Sequence, residues 1–193
     1  MPRPEVFNRE EVIQKVQAVF WDKGYNGTSM QDLVDATGLN RSSIYNSFGS
    51  KHELFMLSLK DYQNGNLAFI NAKQQAGASP LALLRGLFQS AVKGASSTED
   101  NKGCMIVNCA TELANQEPEV QNYVSLSNER MQQKFAELLS AAQDAGEISK
   151  ENDTELLAHF LLMNLQGLRV NGLTNNDPKL LKALVDQVFK NVK

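Results

Sequence analysis

From residue 40 to residue 51 the chain reads NRSSIYNSFGSK, and its side chains divide into two sets. Ile44, Tyr45 and Phe48 have the spacing of an inward helical face. Arg41, Ser42, Ser43, Asn46 and Ser47 are short or hydrogen-bonding groups that fall between those anchors, toward the start of the helix. Upstream, Thr28 and Ser29 are suited to cap a preceding helix whose apolar residues are Leu33, Val34 and Ala36. Gly38 then supplies the left-handed residue that a helix end favours. Leu39 re-enters the core, and Asn40 caps a second helix of about two turns. This is the layout of a helix-turn-helix, whose second helix enters the DNA major groove and reads base edges from its first turns. A three-helix domain of any other purpose would share the capped helices and glycine turns, but it would not need polar groups on the short helix.

Other residues with chemical potential are few. Only two histidines occur, His52 and His159, and no acid–base or metal-ligand spacing accompanies them. His52 is expected at an exposed helix start and His159 as a core histidine inside an apolar helix. No metal and no cofactor are therefore expected, and the chain is not read as an enzyme. Cys104 and Cys109 lie on one predicted helix, about 140° apart around it and about 7.5 Å apart along it, so a disulfide between them would require local unfolding. Cys104 falls at the helix start beside Lys102, where the helix dipole favours a thiolate and a thiol switch could operate. Cys109 reads as a small buried filler.

These residues need a scaffold, and helical periodicity recurs almost everywhere. Asn8 and Glu11 form a capping box opening a helix to about Lys23, with Val12, Ile13, Val16, Val19 and Phe20 as its stripe and Gly24 as its stop. Ser50 and Glu53 form a second box, from which a long helix runs past Tyr62 toward Ile70. Ser79-Pro80 starts another, burying Leu83, Leu84, Leu87, Phe88 and Val92. Residues 96–103 read as a loop, followed by a short apolar helix to about Asn115. Further helices are expected over 119–145, from Asp153 to about 172, and from Asp177-Pro178 onward. The fold class is all-α, about nine helices, with a helix-turn-helix unit at 1–52 and a larger helical unit at 53–193.

Composition agrees. Hydrophobic residues make up 42% of the 193 and charged residues 21%, enough for a core and ordinary for a globular chain. No apolar signal segment opens the chain and no stretch approaches the roughly 18 apolar residues that span a bilayer, so a cytoplasmic protein with no membrane partner is expected. The net charge of −3 argues against nucleic acid, but its distribution does not. Residues 1–60 hold seven basic (3, 9, 15, 23, 41, 51, 60) and seven acidic positions (5, 10, 11, 22, 32, 35, 53), so the deficit lies elsewhere. A local cationic face, not total charge, is what binds phosphate, and here a shallow salt dependence is expected.

The run 154–172 is apolar nearly all round and the last helix carries a strong apolar face, so both need cover. A homodimer interface over Leu161, Leu165, Leu168, Leu184 and Val188 is expected. Pairing would set two reading helices about 34 Å apart, the repeat of a palindrome.

The opening amphipathic helix, GYNGTSMQDLVDATGL and RSSIYNSFGSKHELF together resemble the N-terminal domain of the TetR family of bacterial transcriptional regulators. Tyr45, Phe48, Ser50 and Lys51 carry the specific signature, and the likeness spans about residues 8–58. Ser47 stands where many members have histidine. The resemblance implies a ligand-responsive DNA-binding regulator, a repressor on a palindromic double-stranded operator, released by a small-molecule effector. By position it places Thr28 and Ser29 on phosphate beside a helix N-terminus. It turns Arg41, Ser42, Ser43 and Asn46 to the groove, with Arg41 suited to guanine and Asn46 to adenine. Tyr45 would put its hydroxyl on a phosphate with its ring packed inward, and Lys51 would anchor another phosphate. For the effector, the expected lining is Phe88, Cys104, Met105, Asn108, Tyr123, Met131, Phe160, Met163 and Asn164. Thiol sensing through Cys104, a helical enzyme and a dimerisation module without DNA binding stand as alternatives.

Overall fold

The computed structural model describes residues 7–97 and 101–192, and every regular element among them is an α-helix. In chain order these are α1 (Arg9–Gly27), α2 (Met30–Thr37), α3 (Arg41–Phe48), α4 (Lys51–Gln75), α5 (Pro80–Ala95), α6 (Met105–Leu113), α7 (Pro118–Asp144), α8 (Thr154–Asn171) and α9 (Pro178–Lys190). Residues 98–100 of the expected 96–103 loop lie outside the described residues.

Local chemistry accounts for most boundaries. The Asn8 side chain accepts from the backbone N–H groups of Glu10 and Glu11, but Glu11 turns instead to Lys15 at 2.8 Å, so only half of the expected box forms. Ser50 and Glu53 form the full reciprocal box at the head of α4. A third box, between Ser29 and Asp32, heads α2. Gly38 closes α2 at φ 74°, a conformation other residues adopt only with strain. Prolines sit in the first turns of α5, α7 and α9, where their missing N–H has no intrahelical partner to lose.

At Gly24 the backbone takes φ 73° and ψ 174°, which interrupts α1 where a stop was expected, and a single helical turn then runs to Gly27. The Thr28 position departs from expectation. Thr28 is buried rather than capping α2, and its hydroxyl donates to the Gly24 carbonyl at 2.6 Å. The cap of α2 falls to Ser29 alone.

Two apolar cores result, and they do not follow the division of the chain at 52/53. One gathers Val16 and Phe20 of α1, Leu33, Ile44, Phe48 and the first half of α4. It also takes in Met105, Ile106, Cys109 and Leu113 of α6 with Val120 and Val124 of α7. The other collects Ile70 from the far end of α4, then α5, the second half of α7, α8 and α9. α4 runs through both. Leu161, Leu165 and Leu168 belong to the second core and face their own subunit, which corrects the expectation that they form a mating surface. An all-apolar helix has no polar stripe to show which side is inward, and α8 presents Leu156, Met163 and Val170 outward instead.

Candidate nucleic-acid interface and interior cavity

The short helix α3 is fixed from below and open above. Ile44 and Phe48, four apart and so on one face, are buried. Asn40 spends its side-chain oxygen on the Ser43 N–H at 2.8 Å. Arg9 donates to the Ser47 carbonyl at 2.8 Å and lies 4.4 Å from the centroid of the Phe48 ring, which holds the far end of α3 against α1. Arg41, Ser42, Tyr45 and Asn46 are exposed as one continuous strip, with Ser43 and Ser47 half-buried at its margin. Tyr45 corrects the expected inward ring: at 46% exposure it stands outside, because Ile44 and Phe48 fill the inward face of a two-turn helix.

Lys51, in the first turn of α4, sits beside this strip with its ammonium 4.4 Å from the centroid of the Tyr25 ring. Burial lowers its pKa, and the charges of Glu112 and Asp32 oppose that shift. The N-terminus of α2 is less suited to phosphate than expected. Thr28 is inside, and the Ser29 hydroxyl and N–H both donate to the Asp32 carboxylate at 2.6 and 2.7 Å. Asp32 also pairs with Lys23, and that hydrogen bond, with those from Ser29, holds its carboxyl far below the usual range. A resident carboxylate already satisfies these donors.

The strip is tied to the larger half by contacts between residues distant in sequence. Breaking α1 at Gly24 frees the N–H groups of Tyr25 and Asn26, and Glu112 of α6 accepts both, at 3.0 and 2.7 Å. A Cβ at Gly24 would come within 2.8 Å of that carboxylate. Trp21 donates its indole N–H to the Lys102 carbonyl at 3.1 Å, and His52 meets Glu119 of α7 at 3.1 Å.

A cavity of about 60 Å³, partly open to solvent, lies where α4, α6, α7 and α8 meet. Of the residues expected around an effector, it takes Cys104 and Met131. Its polar lining includes Tyr62, Asn66, Gln166 and Arg169, which sequence reasoning did not single out. A lone arginine in the apolar run 154–172 was the available signal.

The remaining expected lining residues are dispersed. Met105 is buried in the core of α1–α4, Asn108 donates to the Lys102 carbonyl, and the Tyr123 hydroxyl donates to the Leu59 carbonyl. Phe88 is core, its ring 5.2 Å from that of Phe189. Phe160, Met163 and Asn164 line a groove between α8 and α9 with Leu184 and Val188, not the cavity beside Arg169. His159, expected in the core, is exposed on α8.

Both cysteines are buried and unbridged. Cys104 stands at the N-cap position of α6 without capping it through its side chain, is buried, and accepts from the Tyr62 hydroxyl at 3.7 Å. Burial pushes the Cys109 thiol up to about 12.

The α2–α3 pair with its exposed polar strip defines a helix-turn-helix DNA-binding protein. Residues 17–56 match the family model described as "Bacterial regulatory proteins, tetR family", and residues 80–188 match "Tetracyclin repressor-like, C-terminal domain". The chain is 33% identical over 187 residues to the uncharacterized HTH-type transcriptional regulator YezE of Bacillus subtilis (strain 168), covering 96% of each protein. It is 28% identical to the HTH-type transcriptional repressor ComR of Escherichia coli (strain K12), over 88% of this chain and 81% of that one. A cysteine-substituted form of the TetR family regulator CifR, solved in complex with 26-base-pair operator DNA, has a TM-score of 0.84 and 26% identity, covering 99% of this chain and all of that one. The chain belongs to the TetR family. It is a DNA-binding transcriptional regulator, as its relatives are, and not an enzyme. Among the described residues no helix is long and apolar enough to cross a membrane.

Proposed function

We propose that the protein is a cytoplasmic, homodimeric repressor whose two α3 helices read a palindromic operator and leave it when a small molecule fills the interior cavity. One observation carries this reading: Arg41, Ser42, Tyr45 and Asn46 are exposed together over buried Ile44 and Phe48, in a chain whose fold matches a regulator held on operator DNA. Arg41 is the group for a guanine edge, while Lys51 serves phosphate and carries no base preference.

Gel shift and footprinting against the DNA upstream of the regulator's own gene test the reading. Arg41→Ala is expected to weaken specific binding by about 1–3 kcal/mol and relax selectivity at one base pair. Lys51→Ala is expected to weaken all sequences alike and reduce the salt slope by about 1. Normal binding of every site by both variants would move the reading surface elsewhere.

Pairing is supported by the α8–α9 face, where Leu156, Met163, Leu180 and Leu184 are exposed around a groove floored by Phe88 and Val185. Exposed apolar area of this kind marks an interaction surface. The double variant Met163→Glu with Leu184→Glu is expected to sediment as a monomer and to lose the two-half-site footprint. A dimer of undiminished stability would place the interface on another face.

Release requires the effector to prefer a conformation in which the two reading helices are wrongly spaced. The cavity wall leads to α3 through α6: Cys104 stands at the N-cap position of α6, Glu112 of α6 holds Tyr25, and the Tyr25 ring supports Lys51. Movement of α6 therefore shifts both the turn before α2 and the phosphate anchor.

A further inference from the structure

Resting on the reading that the interior cavity is the effector site, we infer that the cavity selects a short-chain carboxylate, held through an ion pair to Arg169. Arg169 lies in the last turn of α8, where a cation also suits the helix dipole, but its side chain lines the cavity rather than standing free in solvent. Among the described residues the groups that act on it electrostatically are Cys104 and Tyr62, and none of these is an acidic side chain. A thiol and a phenol are weak acceptors for a planar group with five N–H donors that stays charged at any working pH. A carboxylate is the complement of that fork, taking two parallel hydrogen bonds.

The rest of the lining suits the same ligand. Asn66 adds an amide near the charged end. Gln166 donates to the Asn128 side chain at 2.9 Å and Gln63 to the Ser127 carbonyl at 3.1 Å, so each already has a polar partner within the protein. Ile70, Leu87 and Leu162 give the same cavity apolar surface. The volume limits the size. About 60 Å³ compares with roughly 10–15 Å³ for one water on the same measure, which is room for about four to six non-hydrogen atoms.

Tyr62, Asn66 and Arg169 also line a second space, together with Trp21 of α1. The Trp21 and Tyr62 rings meet edge to face at 5.1 Å. Trp21 is the chain's single tryptophan, so a ligand that displaces Tyr62 changes the only indole emission the protein has.

The full-length protein is titrated with acetate, propanoate and butanoate, and with the primary amides of equal length, while Trp21 emission and the thermal midpoint are followed. At least one carboxylate is expected to give a saturable emission change and a raised midpoint that its amide does not. Arg169→Met is expected to weaken that binding by about tenfold or more, the scale of a lost charge-assisted pair, and Arg169→Lys to retain part of it. Far-UV circular dichroism of Arg169→Met separates loss of the site from loss of the fold, and Arg169→Lys supplies the comparison should the methionine variant unfold. Equal binding of amides, unchanged binding by the substituted proteins, or no binding by any acid of the series would overturn the ligand class. Saturable binding that leaves operator affinity unaltered would instead overturn the effector reading and leave the Arg169 site standing.

Discussion

Phe48→Ala is expected to lower the stability of the reading unit by about 3–5 kcal/mol, the range for truncating a buried aromatic side chain. Phe48 is 4% exposed and closes the last turn of α3. Its ring lies 5.8 Å from that of Phe7 and takes the Arg9 guanidinium at 4.4 Å. Removing it opens a cavity beneath the helix and strips the contact that seats α1 on α3. A loss of this size is a large part of the roughly 5–15 kcal/mol that separates most folded domains from their unfolded chains. Urea unfolding followed by far-UV circular dichroism measures it, and operator binding should vanish in parallel. A midpoint close to that of the unsubstituted protein would mean that α3 is anchored by something other than its inward face.

Glu112→Ala is expected to follow at about 2–4 kcal/mol, reckoned from two hydrogen bonds to a charged acceptor at about 1.5–3 kcal/mol each and reduced for their partial exposure. The substitution leaves the N–H groups of Tyr25 and Asn26 without their acceptor and removes the polar tie between α6 and α1, while their apolar contact remains. Glu112→Gln, which keeps one carbonyl oxygen, should fall between. The readout that separates coupling from stability is operator affinity measured with and without effector at a temperature where each variant stays folded. A variant that melts early yet responds normally would make Glu112 a stabilising contact only.

Features set by neighbouring residues were legible in the sequence. The Ser50–Glu53 box, the Ser79-Pro80 and Asp177-Pro178 starts, Gly38 and the Ile44–Phe48 spacing all act within one or two turns, and each appears as expected. The strip on α3 followed from the same local pattern. What could not be read are facts about partners distant in sequence. Glu112 meets Tyr25 from 87 positions away, and Trp21 meets Lys102 from 81. Thr28 looked like a surface cap because its burial is decided by the kink at Gly24. The inward side of α8 was invisible for a different reason: with apolar residues on every face, periodicity carries no orientation, and Leu161 could not be told from Met163. The cavity was missed for the converse reason. The residues expected as lining were large apolar side chains, amides and Cys104, whereas Arg169 and Tyr62, 107 positions apart, supply much of its polar lining.

The shared wall formed by α6 and the start of α7 against α1 bears on how such regulators can be recombined. A chimera joined at the head of α4, taking its reading unit from one relative and its sensor from another, would set Val16 and Phe20 against a foreign surface of Met105, Cys109 and Leu113. Swaps that carry residues 104–124 along with the first 60 keep that seam intact. The unit evolution can exchange freely is therefore discontinuous along the chain.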